Sequence, residues 1–226
     1  MNIPFFRSTK HQATYWRNRR IDWKAHYLDT WTHPHRRRII QILKTFFWGS
    51  LMEVGCGPGP NLIAILDDIK KHSEEWPSLR EGLKGVQLGG FDVNADAIIL
   101  AKKAFTDGLF KVCPADDLML SDKATDVALT DMCLIYVGPF KIDKHILELR
   151  RISRNHVIFC EFHSRSLLRR LWIKLTTGYN VYNYFSLLSK HGFYDILSYK
   201  LTPEDWPGCE KQKGLRHIFV ARVPKR

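Results

Sequence analysis

Leu51-Met52-Glu53-Val54-Gly55-Cys56-Gly57-Pro58-Gly59-Pro60-Asn61 joins an apolar run to a glycine turn, with an acid two residues ahead of the first glycine. Three glycines on alternate positions let the backbone turn sharply and approach a ligand closely, because none carries a Cβ that would occupy the space. Two related phosphate-binding loops are excluded. A dinucleotide fingerprint starting at Gly55 and Gly57 needs a third glycine where the chain has Pro60. A Walker loop needs Gly-Lys followed by Ser or Thr, and that sequence is absent.

From Ser50 onward the chain reads as alternating strands and helices. Strands are expected at Ser50 to Val54, Val86 to Asp92, Leu109 to Cys113, Asp126 to Asp131 and His156 to Phe162. Between them, Pro60 to Lys71 carries Leu62, Ile63, Ile65, Leu66 and Ile69 on a helical stripe. Asn94 caps a helix running to Phe105, and Lys141 to Ser153 turns Ile142, Ile146, Leu149 and Ile152 inward. Right-handed crossovers then give a parallel sheet covered on both faces, with ligands at the carboxyl ends of its strands. The chain ends differently, with helices at Ser166 to Thr176 and Tyr182 to Lys190 and an antiparallel strand pair near Tyr194 to Leu201 and Leu215 to Val223.

Glu-X-Gly-X-Gly-X-Gly at residues 53–59, in this order of elements, resembles the first motif of class I S-adenosylmethionine-dependent methyltransferases. The resemblance covers residues 50–223. It implies an α/β fold: a Rossmann-like three-layer sandwich around a seven-stranded, mostly parallel sheet with an antiparallel last strand. It also implies an N-terminal helical lid over residues 1–48, a methyltransferase domain over residues 49–226, and a helical insertion at about residues 164–192.

The cofactor implied is S-adenosyl-L-methionine. Glu53, Gly55, Cys56, Gly57, Gly59 and Asn61 would form the donor turn. Asp92, at the end of the second strand, is placed to accept both ribose hydroxyls. It lies 39 residues beyond Glu53, and the excess falls in His72 to Gly85, read as an enlarged surface loop. By the resemblance, Val93 faces the adenine, Asp116 accepts from its exocyclic amine, and Ala115 or Asp117 offers a backbone amide. Asp131 and Met132 would contact the amino-acid and methyl-donor portion. The Asp/Asn-Pro-Pro-aromatic motif of adenine and glutamine N-methyltransferases is missing after Asp131.

Methyl transfer to an amine or hydroxyl needs a proton removed. His163 after the fifth strand is the candidate base, with Tyr136 and Glu161 as alternatives. Ahead of the glycine turn, Tyr15, Trp23, Tyr27, Trp31, His33 and Arg36 interleave aromatic and cationic side chains, which suit a planar or anionic acceptor. These six are the expected substrate side.

Charge is uneven: residues 1–48 carry a net +8, residues 49–140 a net −6 and residues 141–226 a net +10, for +12 in 226 residues. Basic flanks around an acidic centre either meet an anionic partner or stay solvated. The five cysteines are odd in number and widely spaced, so neither a disulfide framework nor a metal site is expected, and a reducing cytoplasmic setting fits. No apolar run is long enough to span a bilayer, and Met1 to Lys10 lacks the core of a secretory signal. The sequence therefore reads as an O- or N-methyltransferase of a small-molecule or sugar-like acceptor. An RNA methyltransferase and a noncatalytic S-adenosylmethionine-binding partner subunit are the alternatives, and the oligomeric state is left open.

Overall fold

The computed structural model describes residues 9–80, 85–208 and 214–225. Met1 to Ser8 and Cys209 lie outside the described residues. The chain opens with α1 (Thr9–Asn18), α2 (Trp23–His26) and α3 (His35–Leu43), then enters β1 (Ser50–Val54). Next come α4 (Pro60–Lys71), α5 (Pro77–Arg80), β2 (Gln87–Asp92), α6 (Ala95–Ala104), β3 (Leu109–Val112) and β4 (Thr125–Asp131). The remainder is α7 (Ile142–Ile152), β5 (Ser153–Phe162), α8 (Leu167–Thr177), α9 (Tyr184–Lys190), β6 (Tyr194–Lys200) and β7 (Arg216–Arg222).

The seven strands form one sheet in the order β3-β2-β1-β4-β5-β7-β6. β1 to β5 pair in parallel, while β7 runs antiparallel to both β5 and β6. The single reversed strand is thus β7, the last in sequence, inserted one place in from the edge. Strands buried on both faces read as near-continuous apolar runs, and all five residues of β1 are buried. The covering helices sort into two layers. Ile39 and Leu43 of α3, Leu62 and Ile65 of α4 and Ile98 of α6 pack on one face, against Leu51 and Val127. Ile146 and Leu149 of α7 and Tyr184 and Leu188 of α9 pack on the other, against Val54 and Phe91.

Two local findings bear on the site. α3 belongs to the same core cluster as β1 and α4, so this part of residues 1–48 is continuous with the main body. The segment after α4, expected as a surface loop, is instead anchored where it is described. Trp76 is buried edge-on to Trp48 with ring centroids 5.8 Å apart, and its indole donates to Asp68 at 3.0 Å. An apolar side chain of that size buries too much surface to stay in water, so Trp76 pins an otherwise largely exposed segment to the α3 and α4 layer.

Candidate functional site

The strand order reverses between β1 and β4, and the crevice at such a switch point is where ligands bind in open α/β sheets. The glycine turn opens there. Gly55 takes a left-handed φ of 77°, and the amides of Gly55 and Cys56 both donate to the Phe91 carbonyl, at 2.7 and 3.0 Å. A Cβ on Gly55 would meet Cys133 Sγ at 2.4 Å, so that position admits only glycine. At Gly57, also left-handed, a Cβ would meet nothing within 4 Å. Gly57 instead borders a cavity of about 470 Å³, of the size that takes small molecules.

Asp92 ties the turn to the strand beside it. One carboxylate oxygen accepts from the Gly57 amide at 2.9 Å and the other from the Asn94 amide at 2.8 Å. Burial pushes its carboxyl up, and these backbone donors pull it partly back. Each oxygen keeps capacity for a further donor from the cavity. Val93, Ala115 and Asp116 continue this wall together with Cys113 and His145. Asp116 is already paired with Lys144 at 3.3 Å.

Deeper in, Asn61 on α4 donates to Glu53 at 2.6 Å and to Asp131 at 3.0 Å, bridging the ends of β1 and β4. Burial pushes the Glu53 carboxyl well up. Glu53 Oε2, Asn61 Oδ1 and Arg36 Nε are buried without a hydrogen-bond partner, and all three residues line the cavity. Unsatisfied buried polar atoms cost stability unless a ligand meets them. Here two acceptors and a cationic donor lie together.

Asp131 turns toward α3. Its Oδ2 also lies 2.8 Å from His35 Nε2, and His35 Nδ1 lies 2.6 Å from His33 Nδ1. Burial alone would raise the Asp131 carboxyl, but His35, Arg36 and Asn61 outweigh it and hold it well below the usual carboxylate range. His33 is pushed down to about 4 by burial, then by His35 and Arg36. Both imidazoles rest on the Trp206 ring, with His35 stacked at 4.2 Å. Cys160 Sγ comes within reach of His35 and Asp131. Burial keeps that thiol protonated, and the imidazole and carboxylate already bond each other.

The opposite wall is aromatic. Trp16 meets Tyr136 edge-on at 4.9 Å and Trp23 at 6.3 Å, and Tyr27 packs on Trp23 at 5.3 Å. Trp23 is buried with its indole N–H unpartnered.

Solved structures of the same architecture give this arrangement a setting. Geranyl diphosphate C-methyltransferase from Streptomyces coelicolor A3(2) superposes with a TM-score of 0.66 at 12% identity, covering 98% of this chain and 99% of that one. The 1,6-didemethyltoxoflavin-N1-methyltransferase of Burkholderia thailandensis gives 0.63 at 17%, covering 97% and 92%. A chain from a complex with the Haloferax volcanii Trm112 methyltransferase activator gives 0.62 at 14%, covering 91% and 97%. This is the class I methyltransferase fold. A comparison with protein-family models finds no match, and one with curated proteins finds none either.

Placed on the methyltransferase fold, the expected residues divide. Glu53, Gly55, Cys56, Gly57, Asn61, Asp92, Val93, Ala115, Asp116, Asp131 and Met132 line the cavity, as do Trp23, Tyr27, His33, Arg36 and Tyr136. The others do not. Gly59 instead caps α4 from a left-handed φ of 88°, where a Cβ would meet the Phe105 ring at 3.2 Å. Asp117 is exposed, and its amide already donates to the Pro114 carbonyl at 3.2 Å. Tyr15 is exposed on the outer side of α1, and Trp31 packs on the α3 and α4 core cluster.

His163 also stands apart from the cavity: it is buried against Phe185, His217 and Phe219, and its Nδ1 accepts from the Tyr184 amide at 3.2 Å. Glu161 is fully buried beneath the β4 end, where Oε1 accepts from the Cys133 and Leu134 amides at 3.0 and 2.9 Å. Those bonds fix the turn in which Met132 takes a left-handed φ of 51°. Tyr136 reaches the cavity, but burial and the nearby Tyr179 keep its hydroxyl protonated. Sequence reasoning missed Trp16, His35 and Trp206. The first two stand in the amino-terminal run of aromatics and histidines, one or two residues from chosen positions, whereas Trp206 carries no local signal.

Proposed function

We propose that the chain is a methyltransferase that binds S-adenosylmethionine at the Gly55 to Asp92 end of the cavity and methylates a small acceptor at the Trp16 to Trp206 end. The observation that carries the donor assignment is the cluster of unpartnered buried atoms. Glu53 Oε2 and Asn61 Oδ1 suit an α-ammonium group, and Arg36 Nε suits an α-carboxylate. Asp92 beside Gly57 suits a ribose diol, and the wall formed by Val93, Ala115 and Asp116 suits the adenine. Bound there, S-adenosylmethionine supplies the methyl group as a reactive sulfonium electrophile, so the protein's main task is alignment and exclusion of water.

The proton has a path in the His33, His35 and Asp131 row. If His35 Nε2–H donates to Asp131, its Nδ1 carries a lone pair that accepts Nδ1–H of His33, and His33 Nε2 is left as the free base. In this reading His33 takes a proton from an acceptor hydroxyl or amine while His35 and Asp131 hold the resulting charge. Asp131 is then a positioning residue for the relay rather than a cofactor ligand. The aromatic residues of α1 and α2 act as the lid, and the unpartnered Trp23 indole offers a donor to the acceptor.

The test is to titrate S-adenosylhomocysteine by calorimetry, then incubate the chain with labelled donor and fractionated cell extract. Saturable binding and label in small molecules support the proposal. Label in RNA would replace the acceptor class, binding with no transfer in any fraction would leave a noncatalytic partner role, and no binding would end the donor assignment.

A further inference from the structure

The proposed reaction makes no use of α8, whose surface is the reverse of an ordinary amphipathic helix. At 3.6 residues per turn, Leu167, Leu168, Leu171, Trp172 and Leu175 fall on one arc. These side chains are 59%, 79%, 52%, 57% and 43% exposed. On the opposite side Ile173, 2% exposed, holds the helix to a cluster of Ile135, Phe162, Val181 and Leu215 that also includes Met132 and Tyr136 of the cavity wall. The apolar stripe therefore points outward.

The helix is well formed without a partner. Ser166 Oγ accepts from the Arg169 amide at 3.3 Å, and at the other end left-handed Gly178 donates to the Lys174 carbonyl at 3.0 Å. A contiguous apolar patch left on the surface marks a contact site. Charge says what covers it. Residues 163–178, which are α8 and its flanks, contain Arg165, Arg169, Arg170 and Lys174 and no acidic residue. A second copy of the chain would bring two such cationic surfaces together, whereas a negatively charged surface is attracted to them.

We propose that α8 docks the protein on an anionic lipid bilayer, with Leu168, Leu171, Trp172 and Leu175 entering the boundary between headgroups and acyl chains and Arg165 at phosphate level. Leucine and tryptophan on one face with cations beside them is the composition of helices that lie in that interface. The inference is independent of the methyltransferase reading, because it uses no residue of the cavity.

The experiment sediments the full chain with vesicles of phosphatidylcholine alone and of phosphatidylcholine with phosphatidylglycerol. Binding is expected with the anionic vesicles, weakening as salt is raised, and falling by about tenfold or more in Leu168→Glu/Trp172→Glu. Both positions are exposed, so the variant should keep its thermal transition and its affinity for S-adenosylhomocysteine, which shows that the fold survives. Three results would overturn the proposal: no sedimentation with anionic vesicles, sedimentation that the double variant leaves unchanged, or a vesicle-free dimer that the same variant dissociates. Capture of an acidic protein by α8, with no vesicle binding, would also overturn it.

Discussion

The two ends of the cavity are built in opposite ways. At the Gly55 to Asp92 end, the cavity is lined by strand-end carboxylates and the glycine turn, fixed by the ladders of β1, β2 and β4 and by hydrogen bonds such as Gly57 to Asp92. At the other end, Trp16, Tyr27, His33 and Trp206 come from separate short segments held by ring contacts and by long side-chain bonds such as His35 to Asp131. A ladder fixes position through many backbone bonds at once, whereas packed rings can be exchanged singly. In the proposed function the first end takes the donor, which does not vary, and the second can change its acceptor without disturbing the sheet.

The sharpest break between the ends should come from the relay. His33→Ala and His35→Ala are each expected to lower kcat by about 10²–10⁴-fold for an acceptor that must lose a proton, with S-adenosylhomocysteine affinity unchanged. Equal losses of turnover and donor affinity would show that the two ends are not separable. At the donor end, Arg36→Met should weaken S-adenosylhomocysteine binding by about 10–10³-fold in calorimetry, because it removes the cation from a buried ionic contact. A melting curve would separate that effect from damage to α3, and unchanged affinity would remove Arg36 from the donor site.

Glu161 tests whether the shared wall depends on a buried carboxyl. It is fully buried, with its carboxyl pushed up to about 8 by burial against the pull of the Leu134 and Cys133 amides. Below about 4.5 both folded and unfolded chains hold the proton, and from there to about 8 only the folded chain does, so this group's contribution to stability falls as pH rises and then levels off. Glu161→Gln keeps an acceptor for both amides and cannot ionise. Relative to the wild type it should gain a few kcal/mol, on the order of the linkage between those limits, as pH goes from about 5 to about 9 in chemical denaturation. A difference that stays flat with pH would mean that the carboxyl is not held protonated.

Smaller effects are expected from single contacts. Asp92→Asn can satisfy one of the two amides but not both, and should cost the donor about tenfold in affinity. Trp16→Ala should raise the acceptor KM several-fold, while its neighbour Tyr15→Ala, on the outer side of α1, should leave kcat and KM near wild type. A larger effect at Tyr15 than at Trp16 would reverse the assignment of that helix face.

The sequence by itself determined the sheet, the reversed final strand and most of the residues that line the Gly55 to Asp92 end of the cavity. Those features follow from short-range causes: a period of two or 3.6 in apolar residues, glycines where φ is positive, an asparagine capping α6, and acids at strand ends. Tertiary structure alone decided which aromatic of Tyr15 and Trp16 faces in, because α1 carries rings on neighbouring positions and its period points to neither. It also decided that His163 sits among phenylalanines while His35 meets Asp131, 96 positions away, and that Trp206 supports both cavity histidines. The surface reading of His72 to Gly85 holds for His72 to Glu75, which are exposed, and missed Trp76 and Ser78 for the same reason: only the folded layer placed Trp48 beside them, while residues 81–84 lie outside the described residues. A contact between distant segments leaves no pattern along the chain, so its partners become visible only once the strands have brought them together.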